Sequence, residues 1–207
     1  IVQDNLSKLQ RFGMTVIQPD SGYLACGDTG VGKMPSEEEL LNWILREITY
    51  EKDLAGKKIL VTAGATREKI DPVRFISNRS TGKMGYAIAR NAMLRGAEVT
   101  LVSGETTQSP VPFVKMVQVE SAQDMFDAVS NRAPDMDIIK AAAVADYRPA
   151  QVSTEKIKKK EGEMTIPLER TTDILGWLGS HRKEGQFLCG FSMETQNMIE
   201  NSRAKLE

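Results

Sequence analysis

Apolar positions in residues 1–48 recur at helical spacing twice, with a glycine-rich interval between them. Asn5 to Gly13 reads as a short helix closed by glycine, and Met14 to Gln18 as a short strand. Asp20-Ser21-Gly22 is a predicted turn, and the loop from Ala25 to Pro35 holds Gly27, Gly30 and Gly32. From Ser36 to Ile48 the helical period returns. Leu40, Leu41, Ile44 and Ile48 make an apolar stripe, Ser36 is a ready cap, and Glu37 to Glu39 suit the positive end of the helix. At Thr49 the periodicity stops and charge takes over, which predicts a linker at 49–56 ahead of a domain at 57–207.

A different rhythm follows. Lys57 to Gly64 is the kind of run that buried parallel strands show, and Gly85 to Arg95 is a helix stopped by Gly96. Glu98 to Gly104 and Val114 to Val119 are strands, and Ser121 opens a helix with capping-box spacing to Asp124. Asp137 to Val144 is a further buried strand, and Lys156 to Ile166 a lysine-rich loop running into another. Asp173 to Arg182 is a helix, Gln186 to Phe191 a strand and Asn197 to Glu207 a helix. Strands alternating with helices predict an α/β fold: a Rossmann-like, mostly parallel sheet with helices on both faces. Ligands of such sheets bind at the carboxyl ends of the strands, here after Thr62, Ser103, Ala143 and Gly190.

Composition narrows the function without naming it. The 207 residues carry 27 Lys and Arg against 28 Asp and Glu, so no global field draws in nucleic acid or an anionic membrane. No apolar run approaches the roughly 20 residues of a membrane span, and the first residues lack a signal-peptide layout. Cys26 and Cys189 are too few for a disulfide framework, so a reducing cytoplasm is the expected setting. Both ends, at Ile1 and Glu207, are expected to be cut.

Gly27 to Lys33 (GDTGVGK) matches a P-loop until Met34, where a hydroxyl is needed for magnesium. A loop shaped by glycines for another reason is the better reading. Ser77 to Gly85 is richer, with hydroxyls, an amide, two cations and two glycines just before a helix. Helix-start N–H groups favour anions, so phosphate or carboxylate binding stands beside an ordinary loop capped by Ser80 or Thr81. Ala141 to Arg148 ends a strand with small residues and Asp146. Either a flat ring and a ribose sit there, or the strand is tightly packed and Asp146 caps a turn. The lysines of Glu155 to Lys160 are a solvated face or a loop that closes over phosphates. His181, the sole histidine, is expected on a helix surface; Cys189 reads as core, and Trp43 and Trp177 as packing.

Together these residues resemble the phosphopantothenoylcysteine synthetase domain of the bacterial bifunctional coenzyme A biosynthesis flavoprotein. The likeness runs through Val61 to Glu68, Asp71 to Asn78, Thr81 to Gly85, Ala141 to Arg148, Lys156 to Lys159, Gly190-Phe191 and Glu194-Thr195. Residues 1–48 resemble the tail of the partner decarboxylase domain, through Ala25-Cys26-Gly27 and Gly32 to Pro35. The resemblance implies that CTP activates 4′-phosphopantothenate as an acyl-cytidylate and that the amine of L-cysteine then displaces CMP. It implies Lys156 for forming the intermediate and Asn78 for handling it, with Cys26 as proton donor of the decarboxylase half. Lys140, Ala141, Ala142, Asp146, Lys156, Thr172, Asp173, Ile174, Leu175, Phe191 and Lys205 would hold the nucleotide. Arg74, Asn78, Ser80 and Lys83 would hold the substrate. Mg2+ would accompany CTP, FMN would serve the decarboxylase, and a homodimer is implied, in a higher oligomer for the full-length protein.

Three departures from the family pattern stand out. Thr172 replaces a usual proline, Gly64-Ala65-Thr66 replaces Gly-Gly-Thr, and the chain stops before a further lysine and a closing Ala-Asn-Asp segment. The flavin-binding core, catalytic histidine and Pro-x-Met-Asn motif of the decarboxylase are missing from residues 1–48. Two rivals remain: an NAD(P)-dependent reductase, which needs a glycine fingerprint after the first strand, and a non-catalytic nucleotide-binding or assembly module.

Overall fold

Capping and glycine placement decide the local structure of residues 1–48 in the computed structural model, which describes residues 1–159, 161–193 and 196–204. Helix α1 (Val2–Arg11) is followed by Gly13 at φ +82°, a conformation glycine adopts without strain. Residues 14–19 form no strand, so the strand expected over Met14 to Gln18 is absent. Instead the expected turn at Asp20-Ser21-Gly22 belongs to β1 (Asp20–Tyr23), which pairs antiparallel with β2 (Thr29–Lys33). The hairpin closes through Leu24 N–H on the Asp28 carbonyl at 2.8 Å, with Gly27 at φ +91°. Backbone pairing overrides side-chain pattern here. The glycines therefore shape a hairpin, because β2 occupies the stretch that a P-loop needs as a phosphate cradle opening a helix. Helix α2 (Glu37–Ile48) starts as expected, Ser36 Oγ accepting the Glu39 N–H at 3.2 Å. Neither helix buries a residue.

Residues 49–207 form a second unit. The run after Lys57 becomes β3 (Lys58–Ala63), followed by two short strands, β4 (Arg67–Lys69) and β5 (Phe75–Ser77), paired antiparallel outside the main sheet. Then come α3 (Lys83–Leu94), β6 (Glu98–Ser103), β7 (Lys115–Gln118) and α4 (Ala122–Ser130). The chain continues through β8 (Asp137–Lys140), β9 (Tyr147–Pro149), β10 (Leu168–Arg170), α5 (Ile174–His181), β11 (Leu188–Gly190) and α6 (Met198–Ala204). The strand expected over Asp137 to Val144 ends at Lys140, because residues 141–146 leave the ladder to serve the site described below.

The main sheet has five parallel strands in the order β11-β8-β3-β6-β7. The chain therefore starts in the middle, builds outward to β7, and returns to β3's other side with β8. That reversal opens a crevice between the carboxyl ends of β3 and β8. Alternation along β3 sends Leu60 to a core with Val102, Met125, Val129, Ile138, Ile174 and Leu178. Ala63 faces α3 instead, so closely that a Cβ on Gly85 would lie 2.5 Å from its own Cβ. Helices thus cover both faces.

The capping box at Ser121 is complete in both arms, and the buried Glu68 carboxylate accepts the Ala122 N–H at 2.9 Å. Trp177 packs edge-to-face on Phe126 and stacks on His181, which is exposed on α5. Cys189 is only half-buried. Among the described residues β11 pairs only with β8, so the burial expected of a core thiol is incomplete.

Candidate functional site

At the crevice, side-chain oxygens take over where the ladder ends. Gly64, at φ +77°, turns the chain out of β3, and Ala65 bridges to Ala143 on one side and Glu105 on the other. The crossing is tight: a Cβ on Gly104 would lie 2.2 Å from the Ala65 carbonyl oxygen. Buried Thr62 accepts the Ala142 N–H at 3.1 Å, and buried Thr66 accepts the Ala145 N–H at 3.0 Å. These hydroxyls, with the Ala143 N–H on the Gly64 carbonyl at 2.9 Å, hold residues 141–145 against the end of β3, leaving the small side chains of Ala141 to Ala143 half-buried at the rim.

Asn78 is anchored on that rim. Its Nδ2 donates to the carbonyls of Ala143 and Val144, both at 3.3 Å, while Ser77 Oγ donates to the Thr66 carbonyl at 2.8 Å. The amide oxygen of Asn78 has no hydrogen bond among these, and the residue is exposed. Next along the chain, Ser80 Oγ accepts the Gly82 N–H at 3.4 Å. Gly82, at φ +75°, is the N-cap of α3 and provides no side-chain cap. Neither Ser80 nor Thr81 caps the helix, so the first-turn N–H groups, with exposed Lys83 at their head, have no side-chain cap.

The opposite wall comes from α5. Thr171 reaches back to residues 145–146, its N–H donating to the Asp146 carbonyl at 3.0 Å and its hydroxyl to that of Ala145 at 2.6 Å. Asp146 itself is exposed. Thr172 is exposed beside it, and Asp173 caps α5 by accepting the Leu175 and Gly176 N–H groups. Ile174 is buried in the core, so any contact it makes with a ligand falls to its main chain. Gly190 ends β11 against Leu175, where a Cβ would sit 2.7 Å from Leu175 Cδ2, and Phe191 follows, exposed. Lys140, Ala141, Ala142, Asp146, Thr172 to Leu175 and Phe191 therefore gather along the carboxyl ends of β8 and β11 and the start of α5. Lys160, Glu194, Thr195 and Lys205 lie outside the described residues.

Arg74 is placed differently from the other expected substrate contacts. Its Nε lies 3.2 Å from Asp71 Oδ2, and its Nη2 donates to the Ile157 carbonyl at 2.5 Å. Asp71 is buried, and burial alone would raise its carboxyl. The N–H groups of Val73, Ile157 and Arg74 and the Arg74 guanidinium outweigh it, holding the carboxyl below its ordinary value. Lys156, Lys158 and Lys159 are exposed around half-buried Ile157. Cys26 is exposed in the β1–β2 hairpin of the 1–48 unit.

Sequence reasoning overlooked Thr62, Thr66, Thr171 and the working role of Asp71. For Asp71 a signal existed, since Asp-Pro starts turns and an aspartate can accept N–H groups two and three residues on. The threonines carried none, because a hydroxyl in a strand end is silent until its partner strand is known. Among the described residues, no three His, Cys, Asp or Glu side chains gather as a metal cage, and no helix is long and apolar enough to cross a membrane.

Residues 54–207 match the family model of the DNA/pantothenate metabolism flavoprotein C-terminal domain. The chain is 48% identical to the coenzyme A biosynthesis bifunctional protein CoaBC of Mycobacterium tuberculosis, over 98% of this chain and 52% of that one. It thus spans about half the length of the curated relatives it matches. A crystal structure of the C-terminal domain of such a CoaBC protein is 54% identical, with a TM-score of 0.65 over 74% of this chain and 72% of that one. A mutant of Cab2, solved in complex with phosphopantothenate-cysteine, shares the fold at 16% identity and a TM-score of 0.61, over 82% of this chain and 76% of that one. With a crevice built from β3, β8 and α5, and with relatives matching nearly its whole length, the chain belongs to the family of the DNA/pantothenate metabolism flavoprotein C-terminal domain.

Proposed function

We propose that residues 49–207 are the ligase part of a coenzyme A biosynthesis protein, joining 4′-phosphopantothenate to L-cysteine at the expense of CTP. Asn78 carries the reading: an amide fixed on the Ala143 and Val144 carbonyls at the crevice, between a helix start without a side-chain cap and the Asp146 rim. In the first step a carboxylate oxygen of phosphopantothenate attacks the α-phosphorus of CTP. The bond to the β-phosphate breaks and pyrophosphate leaves. Lys156 is assigned to this step, where an ammonium offsets the charge gathering between carboxylate and triphosphate. In the second, the cysteine amine attacks the acyl carbon, loses a proton, and CMP departs with the broken acyl–oxygen bond. Asn78 is assigned to the acyl-cytidylate because its amide adds no charge beside the phosphate, and its open oxygen can accept from the incoming cysteine amine. Cytosine and ribose are assigned to the rim from Lys140 to Asp146 and from Thr172 to Leu175, with Phe191 and Lys205.

Magnesium fits this donor set without a cage, since it keeps waters and phosphate oxygens as ligands and needs one or two carboxylates, of which Asp146 is placed at the rim. It would supply charge neutralisation to the triphosphate. Residues 1–48 are proposed as the end of a flavin-dependent decarboxylase domain, with Cys26 its proton donor. They do not fit FMN by themselves, because neither helix buries a residue that could line a ring slot, and no step is derived through it. A second copy of the chain is proposed as partner. A reductase is disfavoured, because β4 and β5 intervene between β3 and α3, where a dinucleotide fold places a short glycine turn.

The test uses the full-length protein. Pyrophosphate release should require CTP and phosphopantothenate, and amide formation should require cysteine as well. Asn78→Asp should let acyl-cytidylate accumulate while amide formation falls by roughly a hundredfold or more. Amide formation at the wild-type rate would remove Asn78 from this role.

A further inference from the structure

Asp71 divides its two carboxylate oxygens between two tasks. Oδ1 accepts the N–H groups of Val73 and Arg74, both at 2.8 Å, which closes the turn of residues 71–74. Oδ2 accepts the Ile157 N–H at 3.2 Å, with Arg74 Nε beside it at 3.2 Å. The Ile157 carbonyl is held in turn by Arg74 Nη2. Both main-chain polar groups of one residue in the lysine loop are therefore fixed on a single buried acid and its arginine. A second tie, Ser153 N–H on the Ile70 carbonyl at 3.0 Å, holds the loop on the other side of Lys156. From Arg74 the chain passes through β5 directly to Asn78. A turn cap needs only Oδ1. Oδ2 pairs locally only with the Arg74 side chain, and, buried, it ties the segment bearing Asn78 to the segment bearing Lys156 across 86 residues of sequence.

We infer that Asp71 is a positioning residue, which through Ile157 sets the backbone of Lys156 relative to Asn78 and so makes the lysine available to the first half-reaction. The inference rests on the ligase reading above for its kinetic part only. Its structural part stands alone.

Asp71→Asn separates the two tasks. The amide oxygen can keep the Val73 and Arg74 N–H groups, whereas the NH2 now meets the Ile157 N–H and the Arg74 guanidinium, donor against donor. In the full-length protein, hydrogen exchange over 153–159 should rise about tenfold or more while the amides of β3 and β6 stay protected. The kcat of CTP-dependent pyrophosphate release should fall roughly tenfold to a hundredfold, with the KM for cysteine unchanged. Ile157→Pro removes the same N–H from the other side, should give the same loss, and should add nothing to Asp71→Asn in the double variant. Unchanged loop exchange in Asp71→Asn would overturn the clamp. Faster loop exchange with wild-type pyrophosphate release would overturn its positioning role. A wild-type enzyme releasing no pyrophosphate sinks the ligase reading, and loop exchange then decides the clamp.

Discussion

Two capped, amphipathic helices of this chain, α2 and α4, have very different surroundings. Each starts at a serine whose hydroxyl accepts an N–H three residues on, Ser36 from Glu39 and Ser121 from Asp124. Each carries an apolar stripe. Helix α4 buries Ala122, Met125, Ala128 and Val129 against the sheet, whereas Leu41 and Ile44 of α2 are both 53% exposed and Ile48 is 73% exposed. Local signals therefore make a helix in either setting, and burial is a separate matter. The α4 cap is also reinforced in ways no helix can arrange alone: Asp124 returns a bond to the Ser121 N–H, and Glu68 arrives from β4 to accept a further one.

Removing the core should break the comparison hardest. Leu60→Ala deletes a fully buried side chain facing α4 and α5, and should lower the unfolding free energy of residues 49–207 by about 2–5 kcal/mol in denaturant titrations. A loss no larger than that of a surface substitution would contradict the packing described. Smaller is the cap. Ser121→Ala should cost ~1 kcal/mol, while Ser36→Ala should raise amide exchange within α2 and leave the transition of residues 49–207 unmoved.

Acid sharpens the same contrast. The Ser121 N–H holds the Asp124 carboxyl below its ordinary value; partial burial opposes this, and the Ser121 hydroxyl, the Glu120 N–H and Lys69 assist. A carboxyl depressed by folding contributes stability that is complete above its ordinary value and is lost as the pH falls through the depressed one. The stability difference between wild type and Asp124→Asn should therefore be flat from roughly pH 8 to 5 and shrink below about 4. A difference growing on acidification would reverse the sign and exclude this origin. The smallest effect is expected at Leu41→Ala, within about 0.5 kcal/mol, because the side chain already meets solvent.

Legibility followed the same division. The buried runs that became β3 and β6, and the caps at Ser36 and Ser121, were readable because their causes lie within a few residues. Three short ribbons were not: β4, β5 and β9 have three residues each, with no alternation to find, and only their partners make them strands, whereas β10 falls where a strand was expected after Ile166. Met14 to Gln18 failed in the opposite way, being a plausible strand that nothing pairs. At the site, small residues ending β8 and a polar helix start after Ser77 were legible as chemistry. That Asn78 stands on Ala143 and Val144 was not.

The sequence by itself determined the helices, the long buried runs of the sheet and the serine caps, because each depends on neighbours along the chain. The tertiary structure decided that β8 returns beside β3. That order brings Asn78 onto carbonyls 65 and 66 residues further on, and Asp71 onto an N–H 86 residues away. Such bonds depend on which strands lie side by side, a property of the whole sheet that no local pattern encodes.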